Sequence, residues 1–168
     1  NVGNEAVQLN FMNAYRKGLP CPPRINIDLF VRYSEDLVNL FGVDAILISC
    51  STMNRAAGAV REAMKKHGVP VVQIDEAMME EAVLRGGRIL VVATHGPTVR
   101  NTRELLKESA EKLGREVSFS GATVEEAFHL LGRGDIEGHN ERIAGAIRDA
   151  VTREPINTVV LAQLSMAV

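Results

Sequence analysis

The amino-acid sequence predicts an α/β fold in which parallel sheets are flanked by helices. Short apolar runs bounded by turn residues alternate along the chain with segments whose apolar residues recur at helical spacing. Runs of this kind are typical of parallel strands that are buried on both faces. Strands that alternate with helices pair in parallel, so the alternation predicts a mainly parallel sheet with helices on both faces.

Each predicted element has a local signal. Gly42, Gly68 and Gly114 each follow a segment of helical spacing and end it. The strands are runs of apolar residues such as "DAILIS" and "RILVVAT". In chain order the predictions are helix 27–41, strand 44–49, helix 54–67, strand 69–74, helix 75–84, strand 88–94, helix 97–113, strand 116–120, helices 125–131 and 135–152, and strand 158–163.

The composition is that of an ordinary soluble globular protein. The 168 residues are 46% hydrophobic and 24% charged, and the formal net charge is -2. This charge favours neither nucleic acid nor an anionic membrane as a partner. The absence of tryptophan argues against base-stacking surfaces, and no apolar run is long enough to span a bilayer.

The sequence implies no metal and no cofactor. Cys21 and Cys50 do not make a disulfide framework, so a reducing, cytoplasmic location is predicted. Neither cysteine belongs to a CxxC motif, and the four histidines lie far apart, which argues against a metal site. The GxGxxG and GxxxxGK[ST] spacings of nucleotide-binding loops are absent.

The residues at which the sequence starts and stops are unusual for a natural domain. The chain starts at Asn1 without an initiator methionine and stops at Val168, just after an apolar segment. We therefore expect that a strand is missing at each end. We also expect that another surface covers the apolar ends, as in a homo-oligomer.

Three loops rich in small polar residues follow predicted strands. They are "CSTMN" (50–54), "THGPT" (94–98) and "QLSM" (163–166). Parallel α/β sheets bind their ligands at the carboxyl ends of the strands. Helix starts after the first two loops would direct backbone N–H groups toward an anion. The sequence therefore predicts a binding site for a small anionic molecule at these loops.

Cys50 is the candidate reactive group. From its residue type alone a buried, inert thiol is the better interpretation. Its position favours function, because a helix N-terminus stabilises a thiolate, which can accept a proton or act as a nucleophile. The next polar residues offer hydrogen bonds to a carboxylate, although each alone is also explained as a turn or helix-cap residue. They are Ser51, Thr52 and Asn54.

The loop after the third strand offers hydroxyl and imidazole groups. Thr94 and Thr98 flank a helix start, where they either stabilise the ends of these elements or bind an anionic substrate group. His95 is a possible acid or base, although a loop histidine is more often merely exposed. Of the later histidines, His129 is expected to be partly buried or at an interface, and His139 to be exposed.

The segments "ILISCSTMN", "VVATHGPTV" and "VVLAQLSM" occur in the order and spacing found in the aspartate/glutamate/hydantoin racemase superfamily, which the chain resembles over nearly its whole length. The resemblance implies two similar α/β lobes, here 1–75 and 76–168, with the active site in the cleft between them. It implies a cofactor-independent isomerase, in many members a dimer, which acts on a small carboxylate-bearing compound. From the resemblance we also expect that the family's usual first strand and C-terminal return segment are missing from this chain.

The resemblance also assigns roles to residues. In the family, one cysteine from each lobe acts on opposite faces of the substrate's acidic carbon, and small polar residues hold its carboxylate. The matching positions are Cys50 for the first-lobe thiol, Ser51, Thr52 and Asn54 for its substrate-binding neighbours, and Thr94 and Thr98 for the second-lobe hydroxyls.

The second-lobe cysteine is absent. Gln163 occupies its position, Leu164 stands where a threonine is usual, and Ser165 is a further possible contact. An amide has no titratable proton near neutral pH, so Gln163 is expected to bind substrate and not to transfer protons. Three hypotheses remain open: a racemase or isomerase in which His95 or a group on the missing segments replaces the second thiol, a single-cysteine decarboxylase of malonate-type acids, and a non-catalytic small-acid-binding relative.

Overall fold

Five strands in two parallel sheets form the framework of the part of the chain that the structure describes. The computed structural model describes residues 3–167. The chain divides into two compact units, Asn1–Ile74 and Asp75–Val168, and each unit contains one sheet. The predicted α/β class and the parallel pairing are confirmed. The strands form two sheets, as the family resemblance implies, and not the single sheet suggested by the alternation alone.

The first unit has a two-stranded sheet with one buried and one exposed face. Ile46 and Ile48 are buried against Val60 and Met64, whereas the side chain of Leu47, which points the other way, is 59% exposed. Gly42 ends the second helix in the left-handed conformation, as predicted. The elements are α1 (Glu5–Arg16), α2 (Arg24–Phe41), β1 (Ile46–Ile48), α3 (Ala57–Met64) and β2 (Val71–Gln73), with 3-10 turns at Asn54–Ala56 and Lys65–His67.

Helix α1 is not predicted by the sequence patterns above, and it supports the loop that follows β1. Val7 and Phe11, one turn apart, are buried against Met53 and Ala56. The buried side chain of Asn26 in α2 donates to the Val7 carbonyl at 2.9 Å, which ties the two helices together. The one-per-turn spacing of the apolar residues in 7–14 is the signal from which this helix could have been predicted.

The second unit is built around β3, which is buried on both faces. β3 lies between β4 and β5, and Val92 is paired with Leu161 of β5. Ile89 and Val91 face one apolar cluster, and Leu90 and Val92 face another. The elements are α4 (Glu76–Arg85), β3 (Arg88–Ala93), α5 (Gly96–Leu113), β4 (Ser118–Thr123), α6 (Glu125–Gly132), α7 (Ile136–Arg153) and β5 (Thr158–Leu161), with a 3-10 turn at Leu164–Met166.

Strand β4 extends further than the prediction of 116–120. It runs from Ser118 to Thr123 and keeps pairing with β3 through small residues that carry little strand signal. A Cβ atom on Gly121 would lie 2.6 Å from Cγ1 of Val99, so the absence of a side chain allows α5 to pack closely on this strand.

His139 is buried, and the expectation that it is exposed is wrong. Its polar neighbours in "GHNER" suggest a surface position, but it lies on the same side of α7 as Ile143, one turn later, and faces α6. The ring is 0% exposed, and its Nδ1 lies 2.8 Å from the Ala127 carbonyl oxygen. His129, expected to be partly buried or at an interface, is exposed within this chain.

Replacing His139 should therefore destabilise the second unit. We expect His139→Ala to lower the free energy of unfolding by about 2–4 kcal/mol, because it leaves a cavity and removes the hydrogen bond to Ala127. The matched control is His129→Ala, because His129 is exposed. This substitution should change the free energy of unfolding by less than about 0.5 kcal/mol. Urea unfolding measures both, and equal effects of the two substitutions would contradict the buried position.

Candidate active site

Cys50 lies two residues beyond the carboxyl end of β1, and it is exposed. Its carbonyl oxygen accepts a hydrogen bond from Met53 N at 3.0 Å, which closes a tight turn. Met53 is only 2% exposed, so its side chain anchors this turn in the apolar cluster beneath α1. The turn therefore presents the thiol to solvent on a fixed support.

The polar residues after Cys50 differ in exposure. Ser51 and Thr52 are half-buried, and Asn54 is 3% exposed. Asn54 does not cap the α-helix, because it begins a 3-10 turn and α3 starts only at Ala57. One turn of 3-10 helix thus separates the thiol loop from the α-helix N-terminus that the sequence pattern places directly after it.

A cavity of about 650 Å³ lies in the first unit beside the thiol loop. Cys50 and Thr52 contribute to its wall together with apolar side chains such as Leu37 and Ile48. Asn4 and Tyr33 also line this cavity, and the Asn4 side chain donates to the Tyr33 hydroxyl at 2.7 Å. The thiol therefore has a space beside it that is large enough for a small organic molecule.

In the second unit, Thr94 and Gln163 are in direct contact. β3 and β5 are neighbours in the sheet, so the loops at their carboxyl ends lie together. The Gln163 Oε1 atom accepts hydrogen bonds from Thr94 N at 2.6 Å and from Thr94 Oγ1 at 2.9 Å. A backbone N–H can only donate, so it identifies the amide atom facing Thr94 as the oxygen.

This contact decides what the two residues can offer a ligand. The N–H of Thr94 is used by Gln163, so it does not contribute to the anion site that the sequence suggests there. The Gln163 oxygen is already occupied by two donors, which leaves the amide NH₂ as the end that can bind a further group. Gln163 is therefore arranged to donate hydrogen bonds to an acceptor such as a carboxylate.

The start of α5 is capped by backbone contacts. His95 occupies the N-cap position without a side-chain cap bond, and its carbonyl accepts from Thr98 N at 3.1 Å. Pro97 lies in the first turn, as predicted, and has no N–H to offer. Thr98 is 2% exposed and lies on the buried side of this turn.

His95 is half-buried and contacts an aromatic ring that sequence reasoning missed. The centroids of the His95 and Phe128 rings are 4.5 Å apart, with the planes inclined at 59°. Burial lowers the pKa of His95 below its ordinary value, the Glu125 carboxylate opposes this shift, and His129 adds to it. The signal for Phe128 was available, since it lies in the helix that follows the carboxyl end of β4.

The loop after β5 is anchored by one apolar residue. Met166 is 5% exposed and packs with Leu90 and Val92, whereas Leu164 is 74% exposed. Ser165, between them, is half-buried. The predicted site residues therefore form two groups: Cys50 and its neighbours on the first unit, and Thr94, Thr98, Gln163 and Ser165 on the second.

Two features are absent from residues 3–167. No helix in this range combines the length and the apolar character needed to cross a membrane. Within the same range, no three His, Cys, Asp or Glu side chains are placed so that they could hold a metal ion together.

Comparison with known proteins identifies the family. No curated protein matches the chain. The sequence model of the Asp/Glu/Hydantoin racemase family matches residues 31–168, a range that contains the Cys50 loop and both second-unit loops. This match covers most of the chain and agrees with the parallel α/β sheets and with the positions of the polar loops at their carboxyl ends. The chain therefore belongs to the Asp/Glu/hydantoin racemase family.

Proposed function

We propose that this protein is a cofactor-independent racemase or isomerase of a small carboxylate-bearing compound, such as an amino acid or a hydantoin, and that Cys50 is its acid/base or nucleophile. Membership of the family supports an isomerase in general terms. The observation that carries the proposal is the exposed Cys50 thiol, held on an anchored turn at the carboxyl end of β1. Cys50 is one of two cysteines, and Cys21 lies away from the strand ends.

Proton removal next to a carboxylate needs a base and a way to hold the resulting negative charge. In the proposal, the Cys50 thiolate takes the proton from the substrate carbon and becomes a thiol. The Gln163 NH₂ group donates to the substrate carboxylate, because its oxygen is held by Thr94. Ser51, Thr52, Asn54 and Thr98 are proposed as further substrate-binding residues, and Ser165 is an additional candidate.

A second candidate is a single-cysteine decarboxylase, and Gln163 is the observation that favours it. Its amide cannot transfer a proton, so it leaves Cys50 as the one thiol among the three loops. In such a reaction a malonate-type acid loses carbon dioxide. The electron pair of the broken bond remains as an enolate, which takes a proton from the Cys50 thiol.

Incubation with a panel of acids separates these functions. The panel contains L- and D-aspartate, L- and D-glutamate, a 5-substituted hydantoin and a 2-substituted malonate, and the measurements are chiral chromatography and carbon dioxide release. The proposal expects interconversion of the two enantiomers of at least one compound. Release of carbon dioxide from the malonate alone would favour the decarboxylase. Binding of these acids without turnover would instead show a non-catalytic relative.

A further inference from the structure

A buried asparagine in the first unit interrupts the ordinary pattern of polar and apolar residues. Asn26, in the first turn of α2, is 1% exposed, whereas the preceding residue, Ile25, is 62% exposed. Burial of an amide costs free energy unless its polar atoms are hydrogen-bonded. A buried polar side chain beside an exposed apolar one is therefore informative, and the contacts of Asn26 indicate what its amide does.

The amide of Asn26 contacts two neighbouring segments. Its Oδ1 atom accepts a hydrogen bond from the Asn10 side chain of α1 at 2.7 Å. Its Nδ2 atom donates to the Val7 carbonyl oxygen at 2.9 Å and, more weakly, to Met53 Sδ at 4.0 Å. Because a backbone carbonyl can only accept, the Val7 contact fixes the orientation of the amide. One side chain of α2 thus contacts both α1 and the loop after β1.

Met53 connects this amide to the thiol. Its side chain is 2% exposed and packs in one apolar cluster with Phe11 and Ala56. Its N–H donates to the Cys50 carbonyl at 3.0 Å, and its own carbonyl accepts from Ala56 N at 2.9 Å. Two consecutive turns therefore meet at the backbone of Met53, so the place where its side chain is held determines where the first turn presents Cys50.

We infer that Asn26 is a positioning residue for the Cys50 thiol, because its amide fixes Met53 beside α1 and so holds the turn between Cys50 and Met53 in one conformation. These residues all belong to the first unit, and the consequence for turnover rests on the proposed function. Hydrogen-bonded polar networks specify one arrangement of a core, whereas apolar packing alone tolerates several.

Asn26→Leu tests the inference directly, because leucine branches at the same carbon but has no polar group. The substitution removes all three amide contacts, and the turn should open more often. Opening exposes the Met53 N–H to hydrogen exchange, which should become about 10–100-fold faster. The Ile46 N–H, which donates to the Pro70 carbonyl at 2.9 Å beside the sheet, should stay within about 3-fold of its wild-type rate. Exchange followed by NMR measures both amides.

Two further variants control this experiment. Ser34 is another buried polar residue of α2, but its Oγ donates to the Phe30 carbonyl of the same helix at 2.8 Å. Ser34→Ala should therefore leave the exchange of the Met53 N–H unchanged. Asn10→Ala removes one hydrogen bond of the network from an exposed position, so the fold should be retained. Exchange at Met53 should then be about 2–10-fold faster.

The comparison of two amides separates positioning from a merely structural role. If Asn26 only stabilised the first unit as a whole, Asn26→Leu would accelerate exchange at Ile46 as much as at Met53, and this result would overturn the inference. An unchanged rate at Met53 in folded Asn26→Leu would also overturn it. If Asn26→Leu does not fold, an unchanged rate at Met53 in Asn10→Ala is the decisive negative result.

Turnover provides the second readout. A displaced thiol slows the chemical step more than it weakens substrate binding. With the panel acid that turns over, Asn26→Leu should lower kcat by about 10–100-fold and leave KM within about 3-fold. A wild-type kcat would overturn the positioning role. If the wild-type protein turns over no acid of the panel, the proposed function fails, whereas the exchange rates still decide whether Asn26 holds the turn.

Discussion

Replacement of the Cys50 thiol should remove turnover almost completely. We expect Cys50→Ala to lower kcat/KM by about 10³-fold or more, because no other thiol follows a strand of either sheet and an alanine can neither accept nor donate a proton. The fold should be unaffected, since the side chain is exposed and its turn is held by the Met53 backbone and side chain. Chiral chromatography and circular dichroism measure the two properties.

Cys21 provides the matched control. It is half-buried, and its sulfur is directed toward the carbonyl oxygens of Leu19 at 3.4 Å and Phe11 at 3.8 Å. Cys21→Ala should therefore retain turnover within about 2-fold. Similar rates for wild-type protein and Cys50→Ala would exclude Cys50 from the reaction.

Replacement of Gln163, which is hydrogen-bonded to Thr94, should lower both stability and turnover. Gln163→Leu removes the acceptor of two hydrogen bonds from Thr94. The N–H and hydroxyl of Thr94 are then left unpaired, although Thr94 is only 1% exposed. We expect a loss of about 2–4 kcal/mol in the free energy of unfolding. Turnover should fall as well, because the proposed donor to the substrate carboxylate is lost.

Gln163→Glu separates the structural role from the binding role. A glutamate oxygen can accept both bonds from Thr94, so the free energy of unfolding should stay within about 1 kcal/mol of the wild-type value. Its second oxygen is an acceptor that repels a substrate carboxylate, and KM should rise by about 10–100-fold. A wild-type KM in Gln163→Glu would mean that the Gln163 amide does not face the substrate carboxylate.

The sequence predicted the elements that depend on local signals. Glycines in the left-handed conformation end α2 and α5 at Gly42 and Gly114, as expected, because only glycine adopts that conformation without strain. The buried strand β3 was predicted equally well from its continuous run of apolar residues, because its side chains face apolar clusters on both sides. These features need no knowledge of the residues that lie far away in the chain.

Features that depend on distant contacts were missed. The pair Thr94 and Gln163 is separated by 69 positions, and it forms because β5 pairs with β3, which no local pattern reveals. His139 was expected at the surface because its neighbours are polar, although the packing of α7 on α6 buries it. Phe128 gains its contact with His95 in the same way, through the pairing of β3 with β4.

The central claim is that the protein inverts a carbon centre by exchanging a proton through Cys50. The most direct measurement is mass spectrometry of the product formed in deuterated water from a single enantiomer of the acid that turns over. We predict one solvent deuterium at the acidic carbon of each inverted molecule for the wild-type protein, and none above the uncatalysed rate for Cys50→Ala. Inversion without deuterium, or full incorporation with Cys50→Ala, would contradict it.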